Sequence, residues 1–169
     1  MAMVLNYYID DSITPLQTAM YAMNNNHRTK YDGTSWTFFE DMANEYDLEF
    51  FQTASSSEAL NWINGKEDAL IICSMEPGLW TNVGHFILVW DVDESGTVYI
   101  NDPNSTEEQK TVNSYRYMAS QCKQYFCFNK KVEIYADLNL YFRNYDIFLN
   151  NKKQSFSFID FITQLFTVA

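Results

Sequence analysis

The chain has 169 residues, 47% hydrophobic and 17% aromatic, which suffices for one domain with a sizeable core. Its 11 basic and 22 acidic residues give a formal net charge of −11, which argues against sequence-independent binding to nucleic acid or an anionic membrane and suits a basic or positively tailed peptide better. Three cysteines without paired spacing make neither a disulfide framework nor a tetrahedral zinc site, no cofactor or metal is expected, and no stretch approaches the ~20 apolar residues of a membrane span.

In chain order, Met1 to Ile9 lacks the basic region and small-residue cleavage site of a signal peptide, so the compartment stays open. Thr14-Pro15-Leu16-Gln17 supplies an N-cap, a proline at N1 and a glutamine at N3, and so opens a helix that runs toward Asn24-Asn25-Asn26. His27, in the polar stretch up to Lys30, is expected to be exposed. Thr34 or Ser35 caps a helix through about Tyr46, with Phe38, Met42 and Tyr46 buried at a spacing of four. Ser55-Ser56-Ser57-Glu58 reads as a capping box for a short helix that Gly65 ends, and Ala69 to Cys73 as a buried strand. Thr111 to Gln124 reads as a helix and Tyr125 to Phe128 as a last strand, which completes an α+β order of helices first and an antiparallel sheet after.

Between these lies a hairpin: Gly84-His85-Phe86-Ile87-Leu88-Val89-Trp90, a turn at Asp93-Glu94-Ser95-Gly96, and the return Thr97 to Pro103. If the loop is the four residues Asp93 to Gly96, Val92 faces Thr97 and Ile87 faces Asp102. His85 and Asp102 are then diagonal neighbours on one face, roughly 7 to 8 Å apart at Cα. A three-residue loop closed by Gly96 as a bulge would slip the register by one and turn Asp102 to the other face. An aspartate behind a histidine fixes its tautomer and favours the imidazolium, leaving the second ring nitrogen to activate a thiol or hydroxyl. The plain alternative is a rim histidine beside an Asp-Pro turn. Asp91, Asp93 and Glu94 lack the spacing of a calcium loop and read as a solvated turn.

The segment GHFILVWDVDESGTVYINDPNS resembles the His and Asp segments of the double-glycine leader peptidases, the bacteriocin-processing cysteine peptidases, and above all their stand-alone peptidase-like relatives. MAMVLNYYID resembles the body of the helix that follows a Cys-Gly-Pro-Thr segment in that family. ITPLQTAMYAM, DGTSWTFFEDMANEYDL and SSSEALNWINGKEDALIICSMEPGLWTNVGHF resemble the stretches that come next, so the likeness runs in order over residues 1 to 128. It implies a papain-like cysteine peptidase fold in which N-terminal helices pack on a small antiparallel sheet. His85 takes the general-base role and Asp102 the orienting role.

The family's nucleophilic cysteine, and the glutamine that precedes it, have no match. Met1 to Leu5 reads as the interior of the nucleophile helix, so the cysteine is expected about a turn upstream. None of the three cysteines in the chain suits the part, since Cys73 sits in a buried strand, Cys122 late in a helical stretch and Cys127 in a short apolar run. In a papain-like arrangement Gly78 to Asn82 would rim the cleft, which makes Gly84 a cleft residue. Trp80 is a candidate substrate-side aromatic, packing against the hairpin being its alternative. The implied domain spans residues 1–130 and lacks the nucleophile segment; residues 131–169 match nothing in the family. In that extension Ser157 to Val168 reads as an amphipathic helix with Phe158, Ile162, Leu165 and Phe166 on one side, expected to pack on the domain.

The resemblance implies peptide-bond hydrolysis by a Cys-His-Asp triad in intact relatives, and a chain without peptidase activity here. The rival readings are a non-catalytic module that holds a peptide or cell-wall fragment, and an amidase or transpeptidase on the same fold.

Overall fold

Two apolar runs, Leu70-Ile71-Ile72-Cys73 and Tyr125-Phe126-Cys127-Phe128, carry hydrophobic side chains on both faces. Such strands belong inside a sheet covered on both sides. The computed structural model, which describes residues 1–29, 33–104, 112 and 114–131, places them so. Strands β3 (Leu48–Thr53), β4 (Leu70–Met75), β5 (His85–Val92), β6 (Val98–Asn101) and β7 (Cys122–Lys130) form one antiparallel sheet in the order β3-β7-β4-β5-β6. A second, two-stranded sheet pairs β1 (Arg28–Thr29) with β2 (Gly33–Thr34).

Helices α1 (Ala2–Tyr8), α2 (Pro15–Asn24) and α3 (Thr37–Glu45) cover one face, where Val4, Leu5, Phe38, Phe39 and Met42 pack with Leu70, Ile72, Leu88, Phe126 and Phe128. Helices α4 (Ser56–Gly65) and α5 (Tyr115–Ala119) cover the other, where Ala59, Ile63, Tyr115 and Met118 pack with Ile71, Cys73, Ile87, Val89, Tyr125 and Cys127. The α+β class holds, with helices on both faces of the sheet. On the first face an aromatic pile leads to the hairpin: Phe39 lies 4.2 Å from Phe126 and 5.2 Å from Phe86, ring centre to ring centre. Tyr8 ties α1 to the sheet by donating its hydroxyl to the carbonyls of Asp68 and Phe128 at 2.5 and 3.1 Å.

The punctuation of α2 is as the sequence spells it. The Thr14 hydroxyl accepts from the Gln17 N–H, and the Gln17 side chain accepts from the Thr14 N–H at 2.6 Å. For α4, Ser55 caps the Glu58 N–H, but the Glu58 carboxylate takes the Thr53 hydroxyl instead of closing the box. Helix α3 begins later than expected, with Trp36 at its N-cap, because the Ser35 hydroxyl bonds the Thr37 hydroxyl at 2.8 Å in place of a helix N–H.

His27 is not exposed. Its ring is buried, stacked on Tyr21, with Nε2 2.9 Å from Asp41 and Nδ1 3.2 Å from the Thr37 hydroxyl. The helix expected over 111–124 is also corrected: among the described residues of this stretch only Tyr115–Ala119 is helical, capped by Ser114, and Thr111 and Asn113 lie outside them. Cys122 already belongs to β7, because a nine-residue strand pairing with both β3 and β4 outweighs local helix preference. The C-terminal helix expected at Ser157–Val168 lies outside the described residues, which form a compact unit up to Lys131.

The hairpin reaches the expected parity by a different route. The Asp93 N–H bonds the Thr97 carbonyl at 3.0 Å, and the Gly96 N–H bonds the Asp93 carbonyl at 2.9 Å, so the loop is the three residues Glu94-Ser95-Gly96. Gly96 sits at φ +82, where a side chain is strained. Val92 accordingly faces Val98 and Asp91 faces Tyr99, one step away from the four-residue pairing. The register then shifts between Val89 and Asp91, where Trp90 is the extra residue, and Val89 faces Ile100 and Leu88 faces Asn101. The bulge cancels the slip of the loop. His85 and Asp102 end on one face.

Candidate active site

His85 is the first residue of β5, paired with Met75 of β4, and Asp102 follows the last residue of β6. Pro103 has no N–H to donate to a ladder, so the strand stops there and the chain turns over the end of the hairpin. The His85 Nε2 lies 2.7 Å from Asp102 Oδ1, and the two side chains are 12% and 3% exposed. An ionised carboxylate only accepts, so Nε2 carries the proton and Nδ1 presents a lone pair. Burying that carboxylate is costly unless its oxygens are hydrogen-bonded. The Asn104 N–H supplies a further bond to Oδ1 at 2.9 Å.

Asn104 is the residue that sequence reasoning missed. Its side-chain amide lies 3.4 Å from His85 Nδ1, so one residue fixes the carboxylate through its backbone and meets the free ring nitrogen with its side chain. The signal was present in Asp102-Pro103-Asn104, since an Asp two residues before a backbone N–H in a turn is an Asx-turn. Nδ1 is the nitrogen available to take a proton from a nucleophile.

The approach to His85 is held by Gln121. Its carbonyl accepts from the Glu76 N–H and its side-chain oxygen from the Leu79 N–H at 2.7 Å, and a Cβ on Gly78 would fall 2.0 Å from that oxygen. Gly84 is exposed, and a Cβ there would meet only the Met75 carbonyl at 3.9 Å. Trp80 is 5% exposed and packs in the cluster beneath β4 and β5; among the described residues its Nε1 has no hydrogen-bond partner. Helix α1 lies on the opposite face of the sheet from the His85 row. Its beginning, at Met1, borders a cavity of about 190 Å³ whose other wall includes Phe86 and Pro103, the chain neighbours of His85 and Asp102.

The cysteines lie inside the sheet. Burial pushes the Cys73 thiol well up and the Cys127 thiol up to about 12. Cys122 differs: a hydrogen bond from the Cys73 thiol, foremost, holds it below its ordinary value, and the residue is partly exposed. Cys122 faces Met75, and Met75 faces His85, so thiol and imidazole sit two strands apart, roughly 10 Å at Cα. Direct proton transfer needs about 3 Å. Among the described residues no group of three or more His, Cys, Asp or Glu side chains is arranged to hold a metal ion, and no helix is long and apolar enough to cross a membrane.

No curated protein matches the chain. Among solved structures, the peptidase domain of Streptococcus ComA, a bi-functional ABC transporter involved in a quorum-sensing pathway, is similar at a TM-score of 0.53 over 77% of this chain and 87% of that one. At 14% identity the likeness establishes the fold, which is papain-like. Residues 1–131 match the model of the Peptidase_C39 like family, so the chain belongs to that family and its folded unit is a peptidase-like domain.

Proposed function

We propose that the domain handles a peptide at the Nδ1 face of His85, with the imidazole as general base and then general acid of a thiol peptidase site and Asp102 as its orienting group. The observation that carries this reading is the 2.7 Å bond from Nε2 to a buried carboxylate, which leaves the opposite nitrogen to accept a proton. In the reaction a thiol gives its proton to Nδ1, the thiolate attacks the peptide carbonyl, and the imidazolium returns the proton to the leaving amine. Water then hydrolyses the acyl-enzyme with the same nitrogen as base. Asp102 stabilises the imidazolium throughout.

The thiol is not one of the three in this chain. Two are raised by burial, and the third lies too far along the cross-strand row. A chain of these 169 residues alone is therefore expected to hold peptides without cleaving them. Mass spectrometry of a peptide library incubated with it tests this, and no turnover is expected. Turnover that survives replacement of all three cysteines by alanine would overturn the thiol chemistry, and turnover lost with one of them would overturn the exclusion of that cysteine. An extended chain with Cys-Gly-Pro-Thr one helical turn ahead of Met1 is expected to gain turnover that His85→Ala lowers by 10² to 10⁴ or so.

A further inference from the structure

A groove of about 650 Å³ opens beside α1 where β4 begins and β5 ends, with Ile63 and Lys66 of the α4 side on its border. Leu70 and Leu88 belong to its floor, Met3 and Tyr7 to its α1 wall, and Trp90, the bulged residue of β5, to the far wall. Trp90 is 46% exposed, unusual for so large an apolar ring, and is braced by Tyr99 at 5.0 Å between ring centres. The groove shares Met3 and Leu88 with the cavity bounded by Phe86 and Pro103, so its near end adjoins the residues next to His85 and Asp102.

Charge decides what such a groove accepts. Asp68 and Asp91 line it. Asp68 Oδ1 accepts the Tyr7 hydroxyl at 2.7 Å, and neither carboxylate has a cationic partner among the described residues. Lys66, the cation on the wall, is already neutralised: its ammonium lies 2.8 Å from Glu49 and 4.5 Å over the Trp62 ring. The walls thus carry two uncompensated negative charges above an apolar floor, beside an indole whose face attracts cations. An acidic peptide meets repulsion there and from a chain of net charge −11.

We propose that this groove seats a Lys or Arg side chain of the bound peptide, between Asp68 and Asp91 and against Trp90, with the peptide's apolar side chains on Leu70, Leu88 and Met3. This rests on the peptide-handling role of His85 and names the recognition element of the same site. From Asp91 back to His85 the strand rises roughly 17 to 20 Å, at about 3.3 Å per residue with one residue lost to the bulge. His85 projects from the other face, so the peptide reaches it round the sheet end by Phe86 and Pro103, and the basic residue stands at least about six positions from the bond presented there.

The test uses the full chain and fluorescein-labelled dodecapeptides of Leu, Ala and Gly that carry one Lys or, in a matched set, one Glu, with a benzophenone residue at varied spacing from the charge. Fluorescence anisotropy is expected to show Lys peptides binding about fivefold or more tighter than Glu peptides. Asp68→Asn with Asp91→Asn is expected to erase that preference; both sites are exposed, and Asn tolerates the φ of +58 at Asp68, so folding is preserved. Crosslinks to the stretch around Phe86 and Pro103 are expected at a spacing of six or more. Charge-blind binding that still crosslinks there would overturn the cation seat and leave the role of His85 standing. A retained Lys preference with no crosslink there at any spacing would uphold the seat and overturn that role. Trp90→Ala that shifts the sedimentation coefficient while leaving peptide affinity unchanged would make the groove a contact between copies and sink the proposal.

Discussion

The molecule contains two histidine–aspartate pairs of nearly equal length, and their surroundings are opposite. In the first, His27 is clamped at both ring nitrogens, by Asp41 at 2.9 Å and Thr37 at 3.2 Å, and the Asp41 side chain is 50% exposed. In the second the carboxylate of Asp102 is buried, Nε2 is committed to it, and among the described residues Nδ1 meets only the amide of the exposed Asn104. His27 lies between α2 and α3 with Tyr21 stacked on its ring, a side chain satisfied in place. His85 lies at a strand end beside an exposed glycine. A short His–Asp distance therefore says little by itself. What separates an acid–base site from a structural histidine is which partner is buried and whether one nitrogen is left with weak company.

The two pairs share one support, and removing it is the harshest way to break the comparison. Phe38 stands 5.9 Å from His27 and 5.4 Å from Phe39, which reaches Phe126 and Phe86. Phe126 is fully buried in this pile. Phe126→Ala is expected to cost about 3 to 5 kcal/mol, and the imidazole signals of both histidines should be lost at one common urea midpoint. Separate midpoints would show that the pairs sit on independent supports.

The next step separates them. Asp102→Ala leaves a largely buried imidazole N–H without its acceptor and is expected to cost about 1 to 3 kcal/mol. Asp41→Ala removes a half-exposed partner, so under about 1 kcal/mol is expected. Nitrogen-15 chemical shifts are expected to place the proton of neutral His85 on Nε2 in the unaltered protein and to lose that preference in the Asp102 variant alone. Equal costs in urea, or an Nδ1–H tautomer at His85, would remove the contrast.

A third measurement asks whether any thiol of this chain answers His85. Cys122, held below its ordinary value by its hydrogen bond from Cys73 foremost, gains thiolate at lower pH than the two buried thiols. It is expected to alkylate at least about tenfold faster than Cys73 or Cys127, both raised by burial, as read by peptide mapping after iodoacetamide. His85→Ala should leave that rate unchanged, because two strands separate the residues. A rate that falls in the variant would bring Cys122 into the site.

How far these features were legible in the sequence varies with their range. The capping box of Thr14 and Gln17 is local, and it formed as spelled. The parity of His85 and Asp102 came out as expected although the loop did not. Gly96 closes a three-residue loop, and nothing around Trp90 in the sequence announces the bulge that reverses the slip. Cys122 and His27 were misplaced for one reason. Both depend on partners far away in the chain, Met75 on β4 for the first and Asp41 on α3 for the second. The groove was invisible for the same reason, since Asp68, Asp91 and Tyr7 meet only after the sheet has assembled.

The gentlest perturbation acts on the turn that sets the hairpin register. Asp93 Oδ1 accepts from the Ser95 N–H at 2.9 Å, the Ser95 hydroxyl at 2.6 Å and the Thr97 N–H at 2.9 Å. These bonds, that from the Ser95 side chain foremost, hold the carboxyl below the usual carboxylate range. A carboxyl lowered in the folded state adds stability above its unfolded value of about 3.9, and that contribution fades as pH falls through the lower folded value. Acidification is thus expected to release the Ser95 and Thr97 amides to hydrogen exchange only below about pH 4, while Asp93→Ala releases them at neutral pH and lowers Tm by no more than a few degrees. If His85 and Asp102 separate in the same variant, judged by loss of the Nε2–H tautomer, the loop governs the register of the whole hairpin. If they stay paired, the bulge at Trp90 holds the parity alone, and the His85–Asp102 pair is insulated from the turn that first suggested it.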